Sequence, residues 1–209
     1  MAETNDPGEL SLGDLRRSDA PQLAKLHLAA FPGFFLSTLG EGFLTEFYRA
    51  YASDPSAITV VARDSFFRPI GAVVGTSEPS GFYSRLLKRR AVCFAAAALR
   101  AVFADPRRLP RLIRAVAYRG GAPTQGEDWA LLTSICVSPE KQGGGLGHEL
   151  VSAWVRAAAS SGVQTAFLTT DASNNAAVNR FYNSLGWALD STYTTPEGRA
   201  MNRYVKTGI

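Results

Sequence analysis

The segment ICVSPEKQGGGLGHELVSAW, Ile135 to Trp154, decides how this chain is read. It opens on a β-type run and closes on a helical one, whose Leu146, Leu150, Val151, Trp154, Val155 and Ala158 share a side. Between them stand Gly143, Gly144, Gly145 and Gly147. Glycine loses more backbone freedom on folding than any other residue, so this cluster needs a reason. The first amides of a helix have no internal partner, and the helix dipole adds partial positive charge there. Glycines let several N–H groups converge on one point and let a ligand approach with no Cβ in the way. The combination predicts a main-chain cradle for a phosphate or pyrophosphate. Spacing excludes two common phosphate loops. A G-x-G-x-x-G fingerprint needs glycine where His148 or Leu150 stands, and a P-loop needs Gly-Lys-Ser/Thr after the turn.

Outward from this segment, β-type and helical runs alternate. Glu9–Arg17 reads as a first strand. A helix follows, capped by Ser18 or Asp19, with Leu23, Leu26, His27 and Ala30 on one face. Pro32 and Gly33 break it, and a second helix from about Gly40 to Tyr51 carries the stripe Phe43, Phe47, Tyr51. Ala57–Asp64 and Pro69–Glu78 read as a hairpin. Residues 82–104 read as one long helix and Leu109–Tyr118 as another, together an extra helical insertion (about 81–122) between the third and fourth strands. Trp129–Ser138 is a strand, Leu146–Ala159 a helix, Val163–Thr170 a strand and Asn174–Leu185 a helix, with β-type runs from Trp187 and Arg199. The expected fold class is α/β (α+β): a mixed, largely antiparallel sheet of six to seven strands flanked by helices, in a single domain spanning 1–209.

Composition bounds the function. With 209 residues and 46% hydrophobic content, the chain can bury a full core. The N-terminus has no secretory pattern and the longest apolar run is too short to span a bilayer, so the expected compartment is the cytoplasm. Cys93 and Cys136 make neither a disulfide framework nor a metal quartet, and read as buried free thiols; no metal is expected. The net charge of +4 is unevenly spread. Ten basic residues lie between Arg85 and Arg119 against one acid, Asp105. Arg85, Lys88 and Arg89 share one helix face, as do Arg107, Arg111 and Arg114. Such stripes suit a solvated face, an anionic acceptor, or a membrane surface if the opposite apolar face were exposed. Packing of Leu86, Phe94 and Phe103 on the domain, or on a second subunit in a homodimer, would remove the membrane reading. No motif points to nucleic acid.

The spacing that does fit the glycines is Q-x-x-G-x-G, at Gln142, Gly145 and Gly147, just after Val137-Ser138-Pro139. About 30 residues on stands NNAAVNRFYNSLGW, which follows N-x-x-A-x-x-F-Y-x-x-x-G-F at Asn175, Phe181, Tyr182 and Gly186, with Val178 for alanine and Trp187 for phenylalanine. The two together, over Trp129 to Trp187, resemble the GNAT superfamily, the Gcn5-related N-acetyltransferases. The resemblance implies an acyltransferase of the N-acetyltransferase type, with acetyl-CoA as acyl donor and direct attack of an amine on the thioester. It places the main chain of Ile135, Cys136 and Val137 against the pantetheine arm, with the Val137 N–H toward the thioester carbonyl. It places the amides of Gln142, Gly143, Gly144, Gly145, Leu146, Gly147 and His148 on the pyrophosphate, with Asn175 and Asn179 as further cofactor contacts. Tyr182 stands at the general-acid position, and Phe181 and Trp187 read as core.

The general base is left among Asp128, Glu127 and Glu78. His27, amid leucines, reads as a packed core histidine. The acceptor site is expected from the loop FPGFFLSTLG, where Phe34 or Phe35 faces the cleft, from the stretch after Gly75, and from Tyr193, Arg199 and Tyr204. The expected acceptor is a small-molecule amine, with an amino sugar or a nucleotide-linked amino sugar as candidates. A protein or peptide N-acetyltransferase and a non-catalytic acyl-CoA-binding module are the alternatives.

Overall fold

The structure, a computed structural model, describes residues 10–32, 36–104, 129–195 and 198–209. A seven-stranded sheet runs in the order β1-β2-β3-β4-β5-β7-β6. Its strands are β1 Ser11–Gly13, β2 Ala57–Arg63, β3 Pro69–Thr76, β4 Ala130–Val137, β5 Thr165–Asp171, β6 Ala188–Thr194 and β7 Ala200–Thr207. Every pairing is antiparallel except β4 with β5. The helices are α1 Ala20–Ala30, α2 Glu41–Tyr51, α3 Phe82–Arg89, α4 Ala91–Ala104, α5 Leu146–Ser160 and α6 Ala176–Ser184. This is the expected mixed, largely antiparallel sheet flanked by helices.

Strand alternation sorts the core into two layers. Val61, Ala72, Val74 and Cys136 face α1 to α4, where Leu23, Phe43, Phe47, Tyr48, Tyr51, Phe82 and Leu86 fill one cluster. Ile58, Val60, Ala62 and Val73 face the other way, against Leu150, Val151, Trp154 and Ala158 of α5 and Tyr182 of α6. Burial on both faces explains why β2 and β3 are near-continuous apolar runs.

Sequence and structure differ at three places. The first strand is only Ser11–Gly13, since it pairs β2 at three positions. The expected long helix breaks at Arg90, whose φ of −125° ends α3. Either side of the break, Phe82 packs on Tyr51 and Phe94 on Phe43, and Arg90 reaches Glu46 with its Nε at 3.0 Å. Cys93, read as buried, is exposed at the start of α4, and only Cys136 is buried. The helix expected over Leu109–Tyr118 lies outside the described residues.

The basic face of α3 is engaged in docking. Arg85 donates to the Ser80 and Glu78 carbonyls at 2.7 and 2.9 Å and pairs with the Glu78 carboxylate at 3.3 Å. Arg89 meets Asp54 at 3.1 Å. Leu86 and Phe94, at 4% and 7% exposed, pack inside the domain, so the apolar side of α3 is not free to meet a bilayer. Among the described residues no helix is long and apolar enough to cross one. Arg107, Arg111 and Arg114 lie outside the described residues, as does the Phe103 side chain.

Candidate active site

Strands β4 and β5 pair only at Ala130–Ala166 and Leu131–Phe167. The cause lies two residues further along β4. On β3, Val74 pairs with Ser134 but the next residue, Gly75, pairs with Leu132, so Thr133 is an extra residue in β4. A bulge bends the strand that carries it, and from here β4 leaves β5. Gly75 makes the bend possible: a Cβ there would sit 2.3 Å from the Leu131 carbonyl oxygen and 2.4 Å from the Trp154 ring. Trp154 is fixed in turn by its indole N–H, which donates to the Ile58 carbonyl at 2.9 Å.

The splayed strands open a cleft of about 1060 Å³ whose walls come from both faces of the sheet. His27 of α1 and Phe31 just after it line one side, and the glycine loop with Phe181 and Tyr182 of α6 lines the other. The edge of β4 along the gap is set by register. The Ser138 N–H donates to Ile70 on β3 at 2.8 Å. Neighbouring residues of a strand turn their N–H and C=O to opposite edges, so those of Val137 face the gap. The Gln142 side-chain amide donates to the Val137 carbonyl at 3.1 Å, tying the loop to the strand end. Ile135 also lines the cleft. Cys136 has the other phase: it turns its amide to β3 and its thiol into the α1–α2 core, where the Tyr48 hydroxyl lies 3.3 Å away and burial pushes the thiol up to about 11.

After β4 the chain makes a short 3₁₀ turn, Pro139–Lys141, and enters the glycines. Gly143 and Gly145 have φ of +79° and +88°, the left-handed region that favours glycine. A Cβ on either would meet nothing within 4 Å. Glycine is therefore required there by conformation, and the space above it is open. Gly145 precedes α5 and supplies no side-chain cap, so the Leu146, Gly147 and His148 amides begin the helix without an internal acceptor. At Gly147 a Cβ would come 3.4 Å from the Phe181 ring, an ordinary contact distance, so the α5 start lies against α6. The His148 ring is exposed and meets Phe181 edge-on. An open backbone concavity, an uncapped helix start and an exposed strand edge fit a pyrophosphate followed by an extended amide-bearing arm.

The two asparagines differ. Asn175 lines the cleft, and its amide nitrogen donates to the Thr170 hydroxyl at 2.8 Å and the Asp171 carbonyl at 3.1 Å. Asn179 is spent on structure. Its nitrogen donates to the Asp171 and Asn175 carbonyls, and its oxygen accepts from Asn202 and from Tyr204, both at 3.0 Å. With both donors and both lone pairs used, it pins α6 to β5 and β7. Tyr182 lines the cleft but is only 5% exposed, its ring 6.1 Å from those of Trp187 and Tyr204. Burial raises its phenol well above the ordinary value, so it stays an O–H donor.

Of the general-base candidates, Glu78 sits on the surface against Arg85 and away from the cleft wall, and Glu127 and Asp128 lie outside the described residues. So do Phe34 and Phe35. Arg199 is held by a bidentate pair with Asp171, at 2.7 and 2.8 Å, and Tyr204 is buried. His27, read in the sequence as a packed core histidine, is 1% exposed as that reading requires, and it is also part of the cleft wall. Its Nδ1 lies 2.9 Å from the Tyr48 hydroxyl. No local signal could reveal this, because the partner stands on another helix.

Comparison with known proteins agrees with this geometry. The model of the acetyltransferase (GNAT) family matches residues 21–187. No curated protein is significantly similar in sequence. Among solved structures, a GNAT-family protein from Desulfovibrio desulfuricans superposes with a TM-score of 0.64 at 15% identity, over 96% of this chain and all of that one. YncA of Salmonella typhimurium, solved with its cofactor acetyl-CoA, gives 0.60 at 13% identity, over 96% and 94%. A spermidine N-acetyltransferase chimera of Vibrio cholerae SpeG and hSSAT gives 0.61 at 14%, over 95% of each. At such identities the structures speak for the fold, whereas the family match spans most of the chain and brings acetyl-CoA with it as acyl donor. The chain belongs to the GNAT family of acetyltransferases.

Proposed function

We propose that this enzyme moves the acetyl group of acetyl-CoA to the primary amine of a small-molecule acceptor by direct attack. The observation that carries the reading is the gap between β4 and β5, walled on one side by the glycine loop and on the other by α1. Donor and acceptor then enter from opposite faces of the sheet and meet beside Val137 and Tyr182. Holding two reactants in such a geometry is itself a large part of the rate.

In this reading the amides from Gln142 to His148 hold the pyrophosphate, with Asn175 beside them. The edges of Ile135 and Val137 hold the pantetheine arm as an added strand would. Acetyl-CoA supplies an activated acyl group as a thioester. The Val137 N–H donates to the carbonyl oxygen as negative charge grows there, a contribution of about 3 kcal/mol for one such donor. Tyr182 gives its proton to the departing sulfur, and the proton that the acylated nitrogen sheds passes through solvent to restore the phenol. Cys136 and Asn179 are left out of the contact set, since their polar atoms are directed elsewhere. Among acceptors, an amino sugar without a nucleotide is favoured over a nucleotide-linked one. Arg85, Arg89 and Arg90 already hold Glu78, Asp54 and Glu46, so these three arginines are engaged within the domain rather than presented to a phosphate.

The test is release of free thiol from acetyl-CoA with glucosamine, spermidine, free amino acids and short peptides, beside calorimetry of acetyl-CoA binding. Turnover with a small amine supports the reading. Turnover with peptides alone moves the enzyme to the protein-acetylating class, and tight binding with no turnover makes it a binding module.

A further inference from the structure

Among the described residues, five ionisable side chains line the cleft: His27, His148, Glu149, Asp171 and Tyr182. His148 and Glu149 stand at the start of α5, on the phosphate side. Asp171 is clamped by Arg199. Tyr182 faces the donor from α6. Only His27 belongs to α1, across the gap from the cradle, and it differs from the rest in how its polar atoms are used. Its Nδ1 is engaged by the Tyr48 hydroxyl, which in turn lies 3.3 Å from the Cys136 sulfur. Among the described residues its Nε2 is buried without a hydrogen-bond partner, and of the side-chain atoms in that position only it and Thr133 Oγ1 belong to residues of the cleft wall. An unsatisfied buried polar atom is costly, and native proteins keep few of them.

Resting on the acetyl-transfer reading, we infer that His27 Nε2 is the docking point for the acceptor's amine. An amine N–H donated to this nitrogen fills the orphaned site and leaves the amine lone pair free to face the thioester carbon. The chain behind the ring makes this possible. With Nδ1–H donating to Tyr48 and the Tyr48 O–H donating to Cys136, Nε2 carries the lone pair that an N–H donor needs. The groups facing the ring are Tyr48 from α2 and, through it, Cys136 from β4, both uncharged at neutral pH. Burial also keeps the imidazole neutral, with its pKa lowered to about 4, so it does not repel a cationic acceptor on entry. His27 is thus a positioning and specificity residue: it selects acceptors that present an N–H donor just beyond the reacting carbon.

The chain has two histidines, so ¹⁵N-histidine labelling gives a direct view. With CoA bound, His27 should show a neutral ring at pH 7, and the acceptor found among glucosamine, spermidine, amino acids and peptides should shift its Nε2 signal. In kinetics, His27→Leu should raise the KM for that amine by on the order of 10–100-fold, the worth of one hydrogen bond in such a site. The KM for acetyl-CoA should stay within about twofold, since no uniform donor binding is lost. His27→Gln, whose amide oxygen can accept the same N–H, should recover part of the loss, and Tyr48→Phe should move KM in the same direction as His27→Leu. If His27→Leu does not fold, the Gln variant and the ¹⁵N signal decide. A charged ring at pH 7, an Nε2 signal blind to the amine, or equal losses in the Leu and Gln variants overturns this inference and leaves acetyl transfer standing. A protein that binds acetyl-CoA but acetylates nothing in the panel overturns the transfer reading, and this one with it.

Discussion

Acidification should weaken the fold through His27 at a higher pH than through Glu46. Burial lowers its pKa from 6.5 to about 4. The unfolded chain therefore binds a proton at this residue near pH 6.5, whereas the folded chain refuses it until about pH 4. Where the unfolded state holds more protons, stability rises with pH. His27 thus contributes stability that is complete above pH 6.5 and is lost as pH falls toward 4. At 1.36 kcal/mol per unit, a shift of this size is worth roughly 3 kcal/mol, a large share of a typical 5–15 kcal/mol total. The nearest competitor is Glu46. Burial raises its carboxyl, but Arg90 and Arg49 pull it further the other way, to a net value below its ordinary 4.5. Its contribution is lost only below that pH, so the window from 6.5 to 4.5 belongs to the histidine. Urea unfolding followed by tryptophan fluorescence at half-unit steps from pH 7.5 to 4.5 measures the slope. His27→Gln should flatten it in that window, whatever the variant's stability at pH 7. A variant with the wild-type slope would refute both the neutral buried ring and the docking role built on it.

Gly145→Val should weaken acetyl-CoA binding in calorimetry by tenfold or more. A β-branched residue at φ +88° is strained by on the order of 1–3 kcal/mol, and its side chain enters the open space over the loop; unchanged affinity would remove the cradle assignment. Tyr182→Phe should lower kcat by ~10²–10⁴-fold with little change in acetyl-CoA affinity, and wild-type turnover would make the phenol a packing group. A thiol reagent should modify Cys93 in the native protein at once and Cys136 only on unfolding. Two fast thiols would contradict the Tyr48–Cys136 packing. Since burial raises Cys136 from 9 to about 11, stability should also fall between those pH values, and Cys136→Ala should reduce that alkaline slope.

The proposed donor half of the site is legible in the sequence because the proposal makes it of backbone. A main-chain cradle needs glycine at particular offsets from a strand end and a helix start, and Gly143, Gly145 and Gly147 report that need directly. The hairpin of β2 and β3 and the stripes of α2 and α5 were legible for a similar reason, since periodicity is local. The break at Arg90 was not. No glycine or proline marks it, and the helical pattern runs through. It exists because Phe82 and Phe94 seek different partners on α2. The bulge at Thr133 carries no mark either. It follows from Gly75 and Trp154 on other elements, although it opens the gap on which everything else depends.

The acceptor half proposed above follows the opposite rule. His27, Tyr48 and Cys136 come from α1, α2 and β4, separated by 21 and 88 residues. Each alone reads as core, and each is in fact buried, so composition and pattern had nothing to distinguish. Their meaning arises only where α1 crosses the mouth of the splayed strands and one ring nitrogen is left over after the packing is complete. This division has a consequence for the family to which the chain belongs. A backbone cradle holds one donor through many sequences, because few side chains enter it. A side-chain site assembled from α1 and its neighbours can change acceptor by one or two substitutions that leave the core volume intact. His27→Gln keeps a hydrogen-bond acceptor and about the same bulk, whereas His27→Leu keeps the bulk alone. The comparison of those two variants therefore measures how much of the acceptor preference resides in one nitrogen atom.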